Sequence, residues 1–138
     1  RALSPGINDP FTAIACVDRL GSGLCRLARR DMPSAQRFDP EGRLRLVAPG
    51  SSFAGIADTA FNQIRQSARS NPAVAIRMLD AIAQIAGHVQ HAPDAACLQR
   101  HAGMIIRGAR EAVAEPDDLL DVEAAFTAAT QALCGLQI

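Results

Sequence analysis

The spacing of apolar residues constrains this chain more than any other feature, because from Ser51 to the C-terminus this spacing has the period of an α-helix. Apolar side chains recur there at intervals of three and four residues, the pattern of one face of an α-helix. Prolines that suit the first turn of a helix divide this stretch at Asn71-Pro72, Pro93-Asp94 and Glu115-Pro116. The sequence therefore predicts four consecutive helices joined by short connections.

One more helix is predicted before this stretch. Asp9 can cap the free backbone amides at its start, and Pro10 suits the first helical position, where a missing N–H costs nothing. The helix should end near Asp31, because Pro33 disfavours helical geometry in the residue before it.

A short β-hairpin is predicted between the first two helices. Residues 37–42 carry turn chemistry, and Arg43-Leu44-Arg45-Leu46 alternates with the period of a strand. Two strands alone are marginally stable in water, so we expect the hairpin to lie on the helices.

Together these elements predict one all-α domain over residues 1–138, an antiparallel bundle of about five helices with one hairpin between helices 1 and 2. A chain of this length can bury a sizeable core without disulfides or a structural metal. Its four cysteines are spread through apolar helical patterns, so we expect reduced core thiols, which favours a cytosolic location. These cysteines are Cys16, Cys25, Cys97 and Cys134.

Charge and composition exclude several classes of function. The 14 basic residues balance the 14 acidic ones, and Trp and Tyr are absent, which argues against a nucleic-acid partner. Every basic residue is Arg, so Schiff-base catalysis by Lys and a P-loop lysine are excluded. The apolar stretches are interrupted well before the about 20 residues that a membrane span needs. We therefore expect a soluble segment. We expect no cofactor, with zinc as the one possible exception.

A rigid turn before the first helix is one candidate site. Exposed backbone amides at a helix start can bind an anion, and Ser4, Asn8 and Thr12 would add side-chain donors. The carboxylate of Asp9 already occupies the position that an anion would take. Capping of the helix by Asp9 is therefore the alternative to a ligand site.

The second helix carries a polar stripe of Asp58, Asn62, Arg65 and Arg69, spaced so that all four can touch one partner. One interpretation is a structural network, which would include a buried Asp9–Arg65 pair if the N-terminal turn packs nearby. A second is a site for an acidic or phosphate-bearing ligand, with Asn62 and Arg65 as its centre. A third is a solvated surface.

A possible metal site spans one helix–turn–helix connection. His88, His91, Cys97 and His101 are ligands that zinc accepts, and two adjacent helices could bring them together. The alternative is that Cys97 and His101 point into the core while His88 points to solvent. A nucleophilic Cys97 with His101 as its base is a further possibility, but a thiolate needs an accessible, electropositive pocket.

Two segments are similar to a known family. The run from Arg1 to Ala13, RALSPGINDPFTA, and the block Ala60–Gln66, AFNQIRQ, resemble the bacterial predicted membrane proteins called domain of unknown function 2254. The resemblance implies a longer protein, with N-terminal transmembrane helices followed by a soluble C-terminal region that faces the cytoplasm. It implies no established activity. A start at Arg1 without Met also suggests a segment of something longer.

These observations lead to two main hypotheses for function. The first is a non-catalytic, cytoplasmic assembly or regulatory domain of an integral membrane protein, which contacts the upstream transmembrane and soluble regions and forms a homo-oligomer. The second is a small-molecule or anion sensor that uses the Asn8 turn and the Asn62/Arg65 face. An enzyme based on Cys97 and His101 is a third hypothesis, and zinc is the only cofactor that the residues suggest.

Overall fold

The structure of this chain, a computed structural model, describes residues 3, 8–48 and 50–135. Within these ranges it contains five α-helices and one two-stranded antiparallel hairpin between the first two helices, which confirms the predicted fold class. The elements, in chain order, are α1 (Pro10–Ala28), β1 (Gln36–Phe38), β2 (Leu44–Val47), α2 (Phe53–Ser67), α3 (Pro72–Ala86), α4 (Ala92–Ala112) and α5 (Pro116–Cys134).

Local capping chemistry sets where three of the helices begin. The Asp9 carboxylate accepts hydrogen bonds from two backbone amides of the first turn of α1, as the sequence predicted. Ser52 caps α2, and Asn71 caps α3 by accepting from the amide of Val74. Helices α4 and α5 have no side-chain cap, but each has a proline in its first turn.

Helix α3 lies at the centre of the bundle and packs against α1, α4 and α5. Eight of its fifteen residues are buried, all of them apolar. Gly21 of α1 lies so close to α3 that a Cβ placed there would be 3.2 Å from the Cβ of Ala81. The absence of a side chain at Gly21 therefore lets α1 and α3 approach closely. Buried residues from all five helices join in one core cluster.

The hairpin does not pack on the helices, so the prediction that it lies on them is wrong. All seven strand residues are exposed to solvent. Its turn is held by local hydrogen bonds instead: the Asp39 carboxylate accepts from the backbone amide of Arg43 at 2.8 Å and from Nε of Arg45 at 2.7 Å. Gly42 adopts a φ of 76°, which a residue without a side chain tolerates.

The cysteines occupy two different environments. Cys97 is buried and Cys25 is half-buried, but Cys16 and Cys134 are exposed, so the prediction of four core thiols is wrong for these two. All four are free thiols in the part of the chain that the structure describes. No helix among the described residues is long and apolar enough to cross a membrane.

Candidate functional site

The polar stripe of α2 faces α4, and we call the contact between the two helices the α2–α4 seam. Asp58, near the start of α2, pairs with Arg100 and His101 of α4. Arg69, just beyond the end of α2, forms an ion pair with Glu111. The partner that the stripe contacts is therefore another helix of the same chain.

His101 is the one charged or polar residue found buried among the described residues, and its side chain is 0% exposed. Its Nε2 lies 2.8 Å from Oδ1 of Asp58, and its ring and that of Phe61 form a T-shaped pair with a centroid distance of 5.5 Å. Burial lowers the pKa of His101, and the hydrogen bond from Arg100 lowers the pKa of Asp58. At neutral pH we therefore assign a neutral imidazole that donates Nε2–H to an ionised carboxylate.

This tautomer leaves Nδ1 of His101 as a buried acceptor, and it has no hydrogen-bond partner within the described ranges. Cys97 lies one helical turn before it, with Sγ 3.7 Å from Nη2 of Arg100. One ligand atom each from Asp58, Cys97 and His101 lies within 4.8 Å of the others. Carboxylate, thiolate and imidazole are all zinc ligands. These three residues could therefore hold a zinc ion if their ligand atoms moved slightly closer together.

Two features of this cluster oppose metal binding and nucleophilic catalysis as it stands. Arg100 donates to Asp58 at 2.6 Å, so a cation already compensates the carboxylate. Burial raises the pKa of Cys97, which favours the unreactive thiol over the thiolate. The arrangement is best suited to fixing α2 against α4, and zinc binding stays a prediction.

The structure separates the four residues of the predicted zinc site. Cys97 and His101 come together, and Asp58 joins them, but His88 and His91 lie in the connection between α3 and α4. The ring nitrogens of His88 lie 3.2 Å from Nη2 of Arg29, and Nε2 of His91 lies 3.2 Å from Oδ1 of Asp31. Sequence reasoning missed Asp58 as a possible ligand, although it had placed this residue on the polar stripe.

In the turn before α1, Asp9 caps the helix, which is the alternative to a ligand site. Asp9 accepts from the amides of Phe11 and Thr12 at 3.1 Å each, and the Thr12 hydroxyl also donates to it. This hydroxyl contact lowers the pKa of Asp9, so the helix start already holds an anion. Asn8 is exposed, with a φ of 42°. Ser4, the remaining predicted ligand in this turn, lies outside the described residues.

The second part of the predicted ligand site lies on the seam. Nη2 of Arg65 is 3.4 Å from Oδ1 of Asn62, one turn earlier on α2. No hydrogen bond joins Asn62 or Arg65 to Asn8, Asp9 or Thr12 in the described part of the chain. The Asp9–Arg65 pair, which one interpretation made conditional on close packing of the turn, is therefore not formed there. Beyond Asn62, a cleft of about 210 Å³ opens between α2 and α4, and its lining includes three arginines, Arg65, Arg69 and Arg107.

A third feature is the apolar surface of the hairpin, which we call the hairpin surface. It exposes large apolar side chains, with Phe38 and Leu46 each 57% exposed. Its members are Phe38, Leu44, Leu46 and Val47.

Comparisons with known proteins agree with the resemblance of the two segments. A family model described as "Predicted membrane protein (DUF2254)" matches residues 1–84. Uncharacterized proteins of Mycobacterium tuberculosis (strain H37Rv) and Mycobacterium bovis are each 31% identical over 131 residues, or 95% of this chain and 25% of the relative. The chain thus spans about a quarter of the length of these curated relatives. No solved structure matches the chain at a significant level.

Proposed function

Because the chain belongs to the DUF2254 family of predicted membrane proteins, we propose that it is a non-catalytic assembly domain of a longer membrane protein. In this proposal the hairpin surface docks onto the part of the same polypeptide that lies outside these 138 residues. The family name carries no activity, so the argument depends on the geometry of this chain.

The observation that carries the proposal is the exposed hairpin surface. A two-stranded hairpin is marginally stable by itself, and this one gains nothing from burial against the bundle. Its unpaired strand edges and its four exposed apolar side chains are features that proteins normally cover. A hairpin that exposes four apolar side chains and does not pack on the bundle is therefore suited to docking.

The occupant that we propose is the rest of the same polypeptide. The curated relatives extend far beyond the matched region, which makes up 25% of their length. A covalently linked segment is present at a high effective concentration, so even a small surface can hold it. A hairpin of this size offers too little area for a stable contact between separate molecules unless other surfaces contribute.

The buried cluster supports a role without catalysis. A catalytic group must reach its substrate, but His101 is completely buried and Cys97 is 6% exposed. Burial also favours the protonated thiol of Cys97 and the neutral imidazole of His101. Neither group is poised to act as a nucleophile or a base on an external molecule.

A photo-crosslinking amino acid in the full-length product of the gene tests the docking. It is placed at Phe38 or Leu46, and at Leu120 as a control, because Leu120 is an equally exposed apolar residue on α5. We expect the two hairpin positions to crosslink to peptides outside residues 1–138, and Leu120 not to do so. Absence of such crosslinks, or crosslinks only between two copies of the chain, would overturn the proposal.

We also propose that the domain faces the cytoplasm, with the free thiols as the supporting observation. The exposed Cys16 and Cys134 make this testable with a maleimide that does not cross membranes. In intact cells we expect no labelling of these thiols, and in lysed cells we expect labelling of both. Labelling in cells whose inner membrane is intact would place the domain on the opposite side.

A further inference from the structure

The cleft between α2 and α4 has a marked excess of positive charge. Arg65 and Arg69 reach it from the α2 side, and Arg107 reaches it from α4. Glu111 is the one carboxylate in its lining, and it is paired with Arg69. Three guanidinium groups against one carboxylate leave a formal charge of +2 in a chain whose net charge is zero. The cleft therefore attracts anions more strongly than the average surface of this protein does.

Arg65 has hydrogen-bonding capacity that the rest of the described chain does not use. Its Nε is buried and has no partner among the described residues. Its Nη2 makes a single contact, at the long distance of 3.4 Å, with Asn62. A buried donor without an acceptor is costly, and such groups in folded proteins usually have a partner that supplies the missing hydrogen bond. Because Arg65 lines the cleft, its guanidinium could donate further hydrogen bonds to an acceptor bound there.

The backbone of α4 leaves room for this arrangement at Gly108. A Cβ at Gly108 would lie 3.4 Å from Cγ and 3.6 Å from Nε of Arg69. Arg69 therefore lies against α4 at Gly108, and its guanidinium reaches both the cleft and Glu111.

The size and lining of the cleft indicate the class of ligand. At about 210 Å³ it is smaller than the sites that enclose drug-sized molecules, which hold about 300–1,000 Å³. No aromatic side chain lines it, so it offers no surface on which a nucleobase could stack. Guanidinium groups match tetrahedral oxyanions, to which each can donate two parallel hydrogen bonds.

We propose that this cleft binds a phosphate group through Arg65, Arg69 and Arg107. The phosphate is either the free ion or the terminal phosphomonoester of a lipid headgroup, since the two present the same oxygen atoms. This site is independent of the hairpin surface, so either proposal can fail without the other.

Calorimetric titration of the purified protein with inorganic phosphate tests the site. Arg107→Gln is the main variant, because Arg107 is exposed and its loss leaves the core intact. We expect a rise in Kd of roughly tenfold or more, the effect of losing one charge-assisted hydrogen bond. Arg19→Gln, at an exposed arginine of α1, is the matched control and should leave the Kd unchanged.

A second variant should change the affinity for phosphate in the opposite direction. It thereby distinguishes an effect on binding from general damage to the fold. Glu111→Gln removes the negative charge that competes for Arg69, so phosphate should bind several-fold more tightly. Loss of the fold cannot produce tighter binding. The proposal is overturned if the wild-type protein binds neither phosphate nor phosphate-bearing vesicles, or if Arg107→Gln and Arg19→Gln behave alike.

Vesicles distinguish the two sources of the phosphate group. Phosphatidylcholine vesicles with and without phosphatidic acid are sedimented with the wild-type protein and with Arg107→Gln. Co-sedimentation that requires both phosphatidic acid and Arg107 assigns the cleft to a lipid headgroup. Binding of inorganic phosphate without co-sedimentation assigns it to the free ion.

Discussion

The surroundings of α3 and the α2–α4 seam hold helices together in different ways. The buried face of α3 is entirely apolar, and α3 packs mainly against α1, α4 and α5. The seam instead joins Asp58 to Arg100 and to the buried His101, and Arg69 to Glu111. Apolar burial is nondirectional and supplies most of the stability of a fold, whereas hydrogen bonds and ion pairs specify which residues face each other. The α3 contacts thus stabilise the bundle, and the seam fixes the register of two helices.

The largest loss of stability should come from a cavity created in the buried face of α3. Leu79 is fully buried there, so Leu79→Ala should lower the free energy of unfolding by about 2–5 kcal/mol, through lost burial and the cavity left behind. Urea denaturation measures this change. Leu120→Ala is the matched control on the surface and should change the free energy by less than about 0.5 kcal/mol. Equal effects of the two substitutions would contradict the central position of α3.

The seam should make a smaller contribution to the free energy of unfolding, and this contribution should depend on pH. The pKa of His101 in the folded chain is lower than its usual value of 6.5, so below pH 6.5 the unfolded chain binds more protons than the folded one. The contribution of His101 is therefore fully present above pH 6.5, and it is lost as the pH falls towards the lower pKa of the folded state. Urea denaturation between about pH 7.5 and pH 5 should reveal this loss.

Two histidine variants assign that pH dependence. His101→Gln removes the titrating group, so the fall in stability between about pH 6.5 and pH 5 should become clearly shallower, even though the variant is less stable overall. His91→Gln, at an exposed histidine outside the seam, is the matched control. A slope that changes with His91 and not with His101 would mean that the seam does not hold a neutral imidazole.

The hairpin should have the smallest effect on the bundle. Replacing residues 36–47 by a Gly-Ser linker removes no buried residue, so the free energy of unfolding should change by less than about 0.5 kcal/mol. The same replacement should abolish the hairpin crosslinks in the full-length protein. A loss of more than about 1 kcal/mol would show that the hairpin does pack on the helices.

The features that the sequence predicted well are those that local chemistry determines. Asp9-Pro10 and Asn71-Pro72 place a capping side chain beside a proline of the first turn, and α1 and α3 begin there. The turn residues around Asp39 and Gly42 likewise indicated the hairpin. Strand alternation shows that one face is apolar but not what covers it, which is why the position of the hairpin was predicted wrongly.

The composition of the seam depends on contacts between distant parts of the chain. Asp58 and His101 are 43 residues apart, and nothing in the local sequence indicates that α2 lies against α4 in the register that pairs them. His88 and His91 lie apart from Cys97 and His101 for a different reason. Helix α3 ends at Ala86, so both rings fall in a connection and turn towards the end of α1 instead of towards Cys97. The end of α3 at Ala86 therefore separates these two histidines from Cys97.

The placement of the hairpin also determines what would happen if the chain were cut. Helix α1 contacts the bundle through Val17, Gly21 and Leu24, and its covalent link to α2 runs through the exposed hairpin. A protease that cleaves the hairpin tip therefore leaves two fragments that still share one core. Their association becomes bimolecular, so the thermal midpoint of the nicked protein should fall on dilution, whereas that of an intact monomer should stay constant.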